Sequence, residues 1–186
     1  GVGTVAPSRI ECDVPAGSVA FVATVGCDMT APLGFSPGSV VFVVQGDGKV
    51  VIGGTFTAVN GVTRNRIARL NGDGSVDASF NSFSGANGGV LSIVLQADGK
   101  VLIGGWFNSV NGVSRNLVAR LNLDGSVDTS FNPGSGANGQ VNTITWQSDG
   151  KVLIGGYFTT VNGVIRNRIA RLNADGTLDA SFSPLS

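Results

Sequence analysis

Nine of the twelve acidic residues fall at positions that recur along the chain: Asp47, Asp98 and Asp149; Asp73, Asp124 and Asp175; Asp77, Asp128 and Asp179. Paired carboxylates can act as general acid and base. An active site, however, is a single asymmetric constellation, and a residue present three times is more simply read as scaffold. The chain has no histidine, which removes the commonest general base and transition-metal ligand. Lysine occurs only in Asp-Gly-Lys sequences, so the abundant serines have no evident base to activate them. The expectation is a protein that is not an enzyme, with no catalytic residue, no cofactor and no metal.

Each recurring group has a structural use. The first two sets of aspartates precede glycine, where Asp-Gly forms tight turns. Asp77, Asp128 and Asp179 suit Arg69, Arg120 and Arg171, one arginine inside each third strand. A half-buried guanidinium needs an acceptor, and a carboxylate supplies one. The string N-x-D-G-[ST]-x-D offers alternating oxygens of the kind calcium takes, but its glycine falls two positions early for an EF-hand loop and no bidentate Glu follows. The pairs Gly53-Gly54, Gly104-Gly105 and Gly155-Gly156 lack the helix and G-K-[ST] of a phosphate loop. They read instead as close backbone approach within strands.

One recurring position varies in chemistry, holding Thr55, Trp106 and Tyr157. Aromatics there can stack on a sugar face, with Asn108, Asn111, Asn142 and Asn162 as amide partners, or can fill space between sheets. Arg64-Asn65, Arg115-Asn116 and Arg166-Asn167 follow a hairpin tip, where they contact partners or solvent.

These residues hang on strands. Gln45, Gln96 and Gln147 recur at an interval of 51 residues without slipping, so each unit is expected to fold alike. VVFVVQ, VLSIVLQ and VNTITWQ are β-branched and aromatic, with Phe42/Val44, Ile93/Leu95 and Ile144/Trp146 on one face. An Asp-Gly turn leads to KVVIGGTF, KVLIGGWF or KVLIGGYF, which ends at an Asn-Gly hairpin signal. The third strand is NRIARLN or NLVARLN. A second Asp-Gly turn leads to a short fourth strand, SVDASF, SVDTSF or TLDASF. Nothing has a helical period. The sequence predicts an all-β chain of three four-stranded antiparallel units over 34–79, 80–130 and 131–186, preceded by a β-segment over 1–33.

The pattern Q-x-D-G-K-[VI]-[LV]-[IV]-G-G-x-F, then V-N-G, then R-N-x-[IV]-A-R-L-N-x-D-G-[ST]-[VL]-D-x-S-F resembles the delta-60 repeat family, from Gly34 to Phe182. The resemblance implies propeller-blade-like units in mostly bacterial surface or secreted proteins. It brings no established activity and no catalytic residues. Family members commonly carry more copies, and three blades are too few to close a ring comfortably. Unpaired outer edges invite pairing with another chain, as a six-blade pair or a head-to-tail fibre. A β-trefoil or β-prism closed by internal threefold symmetry is the alternative.

Charged residues make up 13% of the chain and cancel to a net charge of zero, against about 25% in typical domains. That leaves no basic field for nucleic acid or an anionic membrane. No apolar run reaches the ~18 residues of a membrane span. Before the repeats, SRIECDV and SVAFVATVGC read as strands. The second is apolar on both faces, suited to covering the first unit or to joining the edge of a neighbouring copy. Cys12 and Cys27 read as a structural disulfide of an oxidising compartment, or as two buried thiols. Together with the resemblance, which implies a bacterial source, these features predict an extracellular or cell-surface structural and adhesive module that self-assembles into an oligomer or fibre through sheet edges and an N-terminal strand. The alternative is a lectin-like propeller binding surface glycan through Trp106, Tyr157, Asn111 and Asn162.

Overall fold

The computed structural model describes residues 40–80 and 84–184, and all of their regular structure is β. Cys12, Cys27 and the segment before the repeats lie outside the described residues. Each unit repeats one plan. In the first, β1 (Val41–Val44), β2 (Val50–Gly53) and β5 (Ile67–Leu70) form an antiparallel sheet in the order β1-β2-β5, while β3 (Ala58–Val59) and β4 (Val62–Thr63) form a separate small hairpin. The second unit uses β6 (Val90–Leu95), β7 (Val101–Gly105), β8 (Ser109–Val110), β9 (Val113–Ser114) and β10 (Val118–Leu121) in the same way. The third uses β11 (Val141–Trp146), β12 (Val152–Gly156), β13 (Thr160–Val161), β14 (Val164–Ile165) and β15 (Ile169–Leu172).

The first turn of each unit follows the sequence reading. Gly48, Gly99 and Gly150 have φ of 82°, 82° and 85°, a conformation that costs glycine no Cβ clash. The Asn-Gly turn sits differently. It does not join the second and third main strands but caps the two-residue hairpin, with Asn60, Asn111 and Asn162 left-handed at φ 49°, 51° and 52°. The glycine pair is where the second strand stops pairing and the chain swings out. It re-enters the sheet through Arg66, Leu117 or Arg168, each at positive φ.

The expected fourth strand shrinks to one bridge per unit: Leu70 to Val76, Leu121 to Val127 and Leu172 to Leu178. The cause is the aspartate that follows. Asp77 Oδ1 accepts from Ser79 N at 2.9 Å and Ser79 Oγ at 2.7 Å, and this local turn curls the chain away from the ladder. Ser130 and Ser181 repeat the arrangement.

The core lies mainly between units. β6 lies on β1 and β2, and β11 lies on β6 and β7. Val41, Val43, Val51 and Ile67 of the first unit share a cluster with Ile93, Leu95, Ile103 and Leu121 of the second. Val94, Leu102 and Val118 of the second meet Ile144, Trp146, Ile154 and Leu172 of the third. Glycine makes room for this contact. A Cβ placed on Gly53 would lie 2.8 Å from Ile93 Cδ1, and one on Gly104 would lie 2.7 Å from Ile144 Cδ1. The first strands of the second and third units therefore each seat an isoleucine in the glycine notch of the unit before.

Candidate functional site

The recurring carboxylates hold the sheets together. Arg69 Nε donates to Asp77 Oδ2, Arg120 Nε to Asp128 Oδ2 and Arg171 Nε to Asp179 Oδ2, each at 2.8 Å. A second cation completes each site: Lys49, Lys100 and Lys151 reach the same oxygens, also at 2.8 Å. Burial alone would raise the pKa of Asp77 and Asp128, but hydrogen bonds from the lysine, the serine and the arginine outweigh it and hold both well below the ordinary 3.8. Asp179 is lowered in the same way, with the Lys151 bond the largest cause and Ser181 next. The guanidinium groups also lie over Phe80, Phe131 and Phe182 at 4.8, 4.9 and 4.8 Å. A carboxylate with two cationic partners and a hydroxyl is a structural anchor and a poor proton donor at neutral pH.

The sequence reading missed the lysines. They lie 28 residues from the aspartates they meet, and a lysine in a tight turn reads as solvated. Their invariance across three units was the available signal. Repeated polar atoms without partners were also invisible: Gln45, Gln96 and Gln147 Oε1, and Arg64, Arg115 and Arg166 Nε, are buried with no hydrogen bond among the described residues.

The asparagines expected to serve a ligand are engaged internally. Asn111 Oδ1 accepts from Gly85 N at 3.0 Å, and its Nδ2 donates to Gly125 O. Asn162 Oδ1 accepts from Gly136 N at 2.9 Å and Ser135 Oγ at 3.2 Å. Asn108 and Asn142 also accept, from Asn87 and Gln140. Trp106 and Tyr157 are 50% and 68% exposed. The Trp106 indole lies against Gly89, where a side chain would collide with Nε1. The Arg168 guanidinium stands 5.9 Å from the Tyr157 ring. The aspartates of the second Asp-Gly turn are likewise occupied: Asp73 Oδ1 accepts from Ser75 Oγ at 2.6 Å and from Ser75 N at 2.9 Å, which lowers its pKa.

The arginine–asparagine pairs after the hairpin do join neighbours, but within the chain. Asn65 Nδ2 donates to Ser84 O at 3.0 Å and Asn116 Nδ2 to Ser135 O at 2.7 Å. Each ties a unit to the linker that leads into the next. The strand arginines also cross the junctions: Arg69 Nη1 donates to Leu123 O at 2.8 Å and Arg120 Nη1 to Ala174 O at 3.0 Å.

The third unit has the same groups, and its outer face is more exposed. Ile169 is 40% exposed, whereas its equivalents Ile67 and Val118 are at 0% and 1%. Asn167 and Arg168 are exposed. Arg171 Nη1 has no acceptor among the described residues. At the opposite end Phe42 and Val44 are 45% and 49% exposed, although Ile93 and Ile144 at the same position are packed in the core. Among the described residues, the best-defined candidate site is thus a pair of half-exposed apolar faces, one on the first unit and one on the third.

Among the described residues no helix is long and apolar enough to cross a membrane. No curated protein and no solved structure matches the chain. A family described as a domain of unknown function (DUF5122) β-propeller matches at residues 45–80, 96–131 and 147–182, more than half of the sequence. The lysine, the glycine pair, the arginine and the aspartate that build each unit all fall inside those matches, and the chain belongs to this β-propeller repeat family, the delta-60-type repeats its sequence resembles.

Proposed function

We propose that the protein is a non-catalytic extracellular or cell-surface structural and adhesive module that self-assembles through the outer surfaces of its terminal units. One observation carries this reading: a position buried at both inner junctions, Ile67 and Val118, is occupied by a half-exposed isoleucine, Ile169, in the last unit. An apolar sheet face left in water favours association, at roughly 25 cal/mol for each Å² covered. The balanced charge does not oppose contact between copies. Anchored carboxylates and the lack of histidine weigh against acid–base catalysis. Light scattering over a concentration series, followed by electron microscopy of the purified protein, tests the proposal. Oligomers, rings or filaments support it, and particles that stay monomeric at every concentration refute it.

The exposure of Trp106 and Tyr157 favours a second reading, a carbohydrate-binding surface on which each aromatic stacks against a sugar. Asn111 and Asn162 do not support it, since their amides hold the linkers. A glycan screen whose hits disappear in Trp106→Ala and Tyr157→Ala would establish it, and hits that survive both changes would remove it.

A further inference from the structure

Each unit holds two recurring arginines in different ways. Arg69 and Arg120 use the Nε–Nη2 edge of the guanidinium. Arg120 Nε donates to Asp128 Oδ2 at 2.8 Å and its Nη2 to Ser130 Oγ at 3.2 Å, and Arg69 does the same with Asp77 and Ser79. That edge presents two parallel N–H groups and matches the spacing of oxygens in an oxyanion. Arg64, Arg115 and Arg166 come five residues earlier in their units, just after the small hairpin. Here a different nitrogen is engaged. Nη1 donates to the carbonyl of the preceding residue, Thr63, Ser114 or Ile165, at 2.9, 2.8 and 2.8 Å. Nε is buried in all three and meets no acceptor among the described residues.

Arg115 lies in the middle unit, with a described unit on either side. It is 7% exposed, and its backbone N donates to Asn108 O at 3.0 Å, which extends the β8–β9 hairpin by one pair. Among the described residues no carboxylate pairs with it. Asp128 binds Lys100 and Arg120, Asp124 accepts from Ser126, and Asp98 accepts from Lys100 N. A cation taken out of water without a counter-charge is costly. Nη2 of Arg115 also has no acceptor but is not buried, so the edge opens to solvent at that end. We propose that Arg115 is an oxyanion-binding group that takes a carboxylate, sulfate or phosphate on its Nε–Nη2 edge, as Asp128 and Ser130 occupy that edge of Arg120. Arg64 and Arg166 form the equivalent sites of the first and third units. The anion approaches from the Nη2 end and reaches Nε by a small shift of the side chain. A lysine at this position would keep the charge but lose the paired donors. The site needs no contact between copies, so it stands apart from the self-assembly reading.

The arginine Nε–Hε signals in nitrogen–proton correlation spectra of the full chain read this edge directly. Sodium acetate, sulfate and phosphate are each titrated against chloride at constant ionic strength. The Hε signals of Arg64, Arg115 and Arg166 should move downfield and exchange more slowly with water. Those of Arg69, Arg120 and Arg171, already bonded to aspartate, should stay still and serve as the internal control. The anion that gives the largest shift identifies the group the site prefers. Arg115→Lys should weaken binding in the middle unit by ~10-fold, followed through the backbone amides of Asn108 and Asn116, and leave the Arg64 and Arg166 signals responding. If that variant does not fold, the wild-type signals decide alone. An Arg115 signal that stays still in all three anions overturns the proposal. So does an Arg120 signal that moves as far as that of Arg115, because the response would then be a general effect of salt.

Discussion

The inner junctions and the outer surface of the third unit are built from the same residues and differ in what covers them. Ile67 and Ile169 occupy the same place in the same strand, one fully buried and the other 40% exposed. Arg69 and Arg171 make the same 2.8 Å bond to an aspartate, yet their side chains are 9% and 22% exposed. The lysine–aspartate–arginine bonds inside a unit are the same in all three, whereas the arginine-to-carbonyl bonds across the two inner junctions have no counterpart at Arg171 among the described residues. The fold is thus stabilised at two levels, and substitutions can separate them.

The largest effect should come from a change internal to a unit. A Cβ on Gly105 would collide with the Gly89 carbonyl, and one on Gly156 with the Gln140 carbonyl. Backbone cannot move aside as a side-chain end can, so Gly105→Ala and Gly156→Ala should each cost about 3 kcal/mol in denaturant unfolding. The two costs should be similar although one glycine is central and the other terminal. A much milder Gly156→Ala would mean that the third unit is loosely formed throughout, and the comparison would break.

An effect of similar size is expected at the junction itself. Ile67→Ala removes a fully buried side chain and should cost about 2–4 kcal/mol, while Ile169→Ala should cost less than about 1 kcal/mol in dilute protein. Equal losses would show that the outer surface is covered in solution, in the isolated chain.

Acid should act on all three units alike. Asp77, Asp128 and Asp179 have pKa values depressed in the folded protein, so the unfolded chain binds protons more readily than the folded one. Their contribution is therefore complete above the ordinary 3.8 and is lost as pH falls below it towards the folded values. Melting temperatures should hold level down to about pH 5 and then decline, and Asp77→Asn should flatten part of that decline. A profile unchanged by the substitution would mean that Asp77 is not held as a carboxylate.

The smallest effect belongs to the exposed aromatics. Trp106→Ala should change stability by less than about 1 kcal/mol, because half of the side chain is already in water. A larger loss would move Trp106 from surface to packing and weaken the glycan reading.

Much of this was legible from spacing alone. The repeat interval, the first hairpin with its Asp-Gly turn, and the arginine–aspartate pairing all follow from local pattern and charge. What lay beyond the sequence depended on where the chain leaves the ladder. KVLIGGWF reads as one strand through to the Asn-Gly turn, but Gly104-Gly105 ends it, and the turn becomes the tip of a separate hairpin. SVDTSF alternates like a strand, but Asp128 bonds Ser130 locally and keeps only one bridge. Lys100 joins its ion pair across 28 residues, a separation that local pattern does not bridge, so only its recurrence in every unit pointed to it.

The central claim is that the half-exposed outer face of the third unit is a surface through which copies associate. Hydrogen–deuterium exchange at rising protein concentration measures this at the strand concerned. The account predicts that amides of β15 gain protection as copies associate, while those of β10, already covered, stay constant. Protection of β15 equal to that of β10 even in the most dilute sample, and unmoved by concentration, would contradict it.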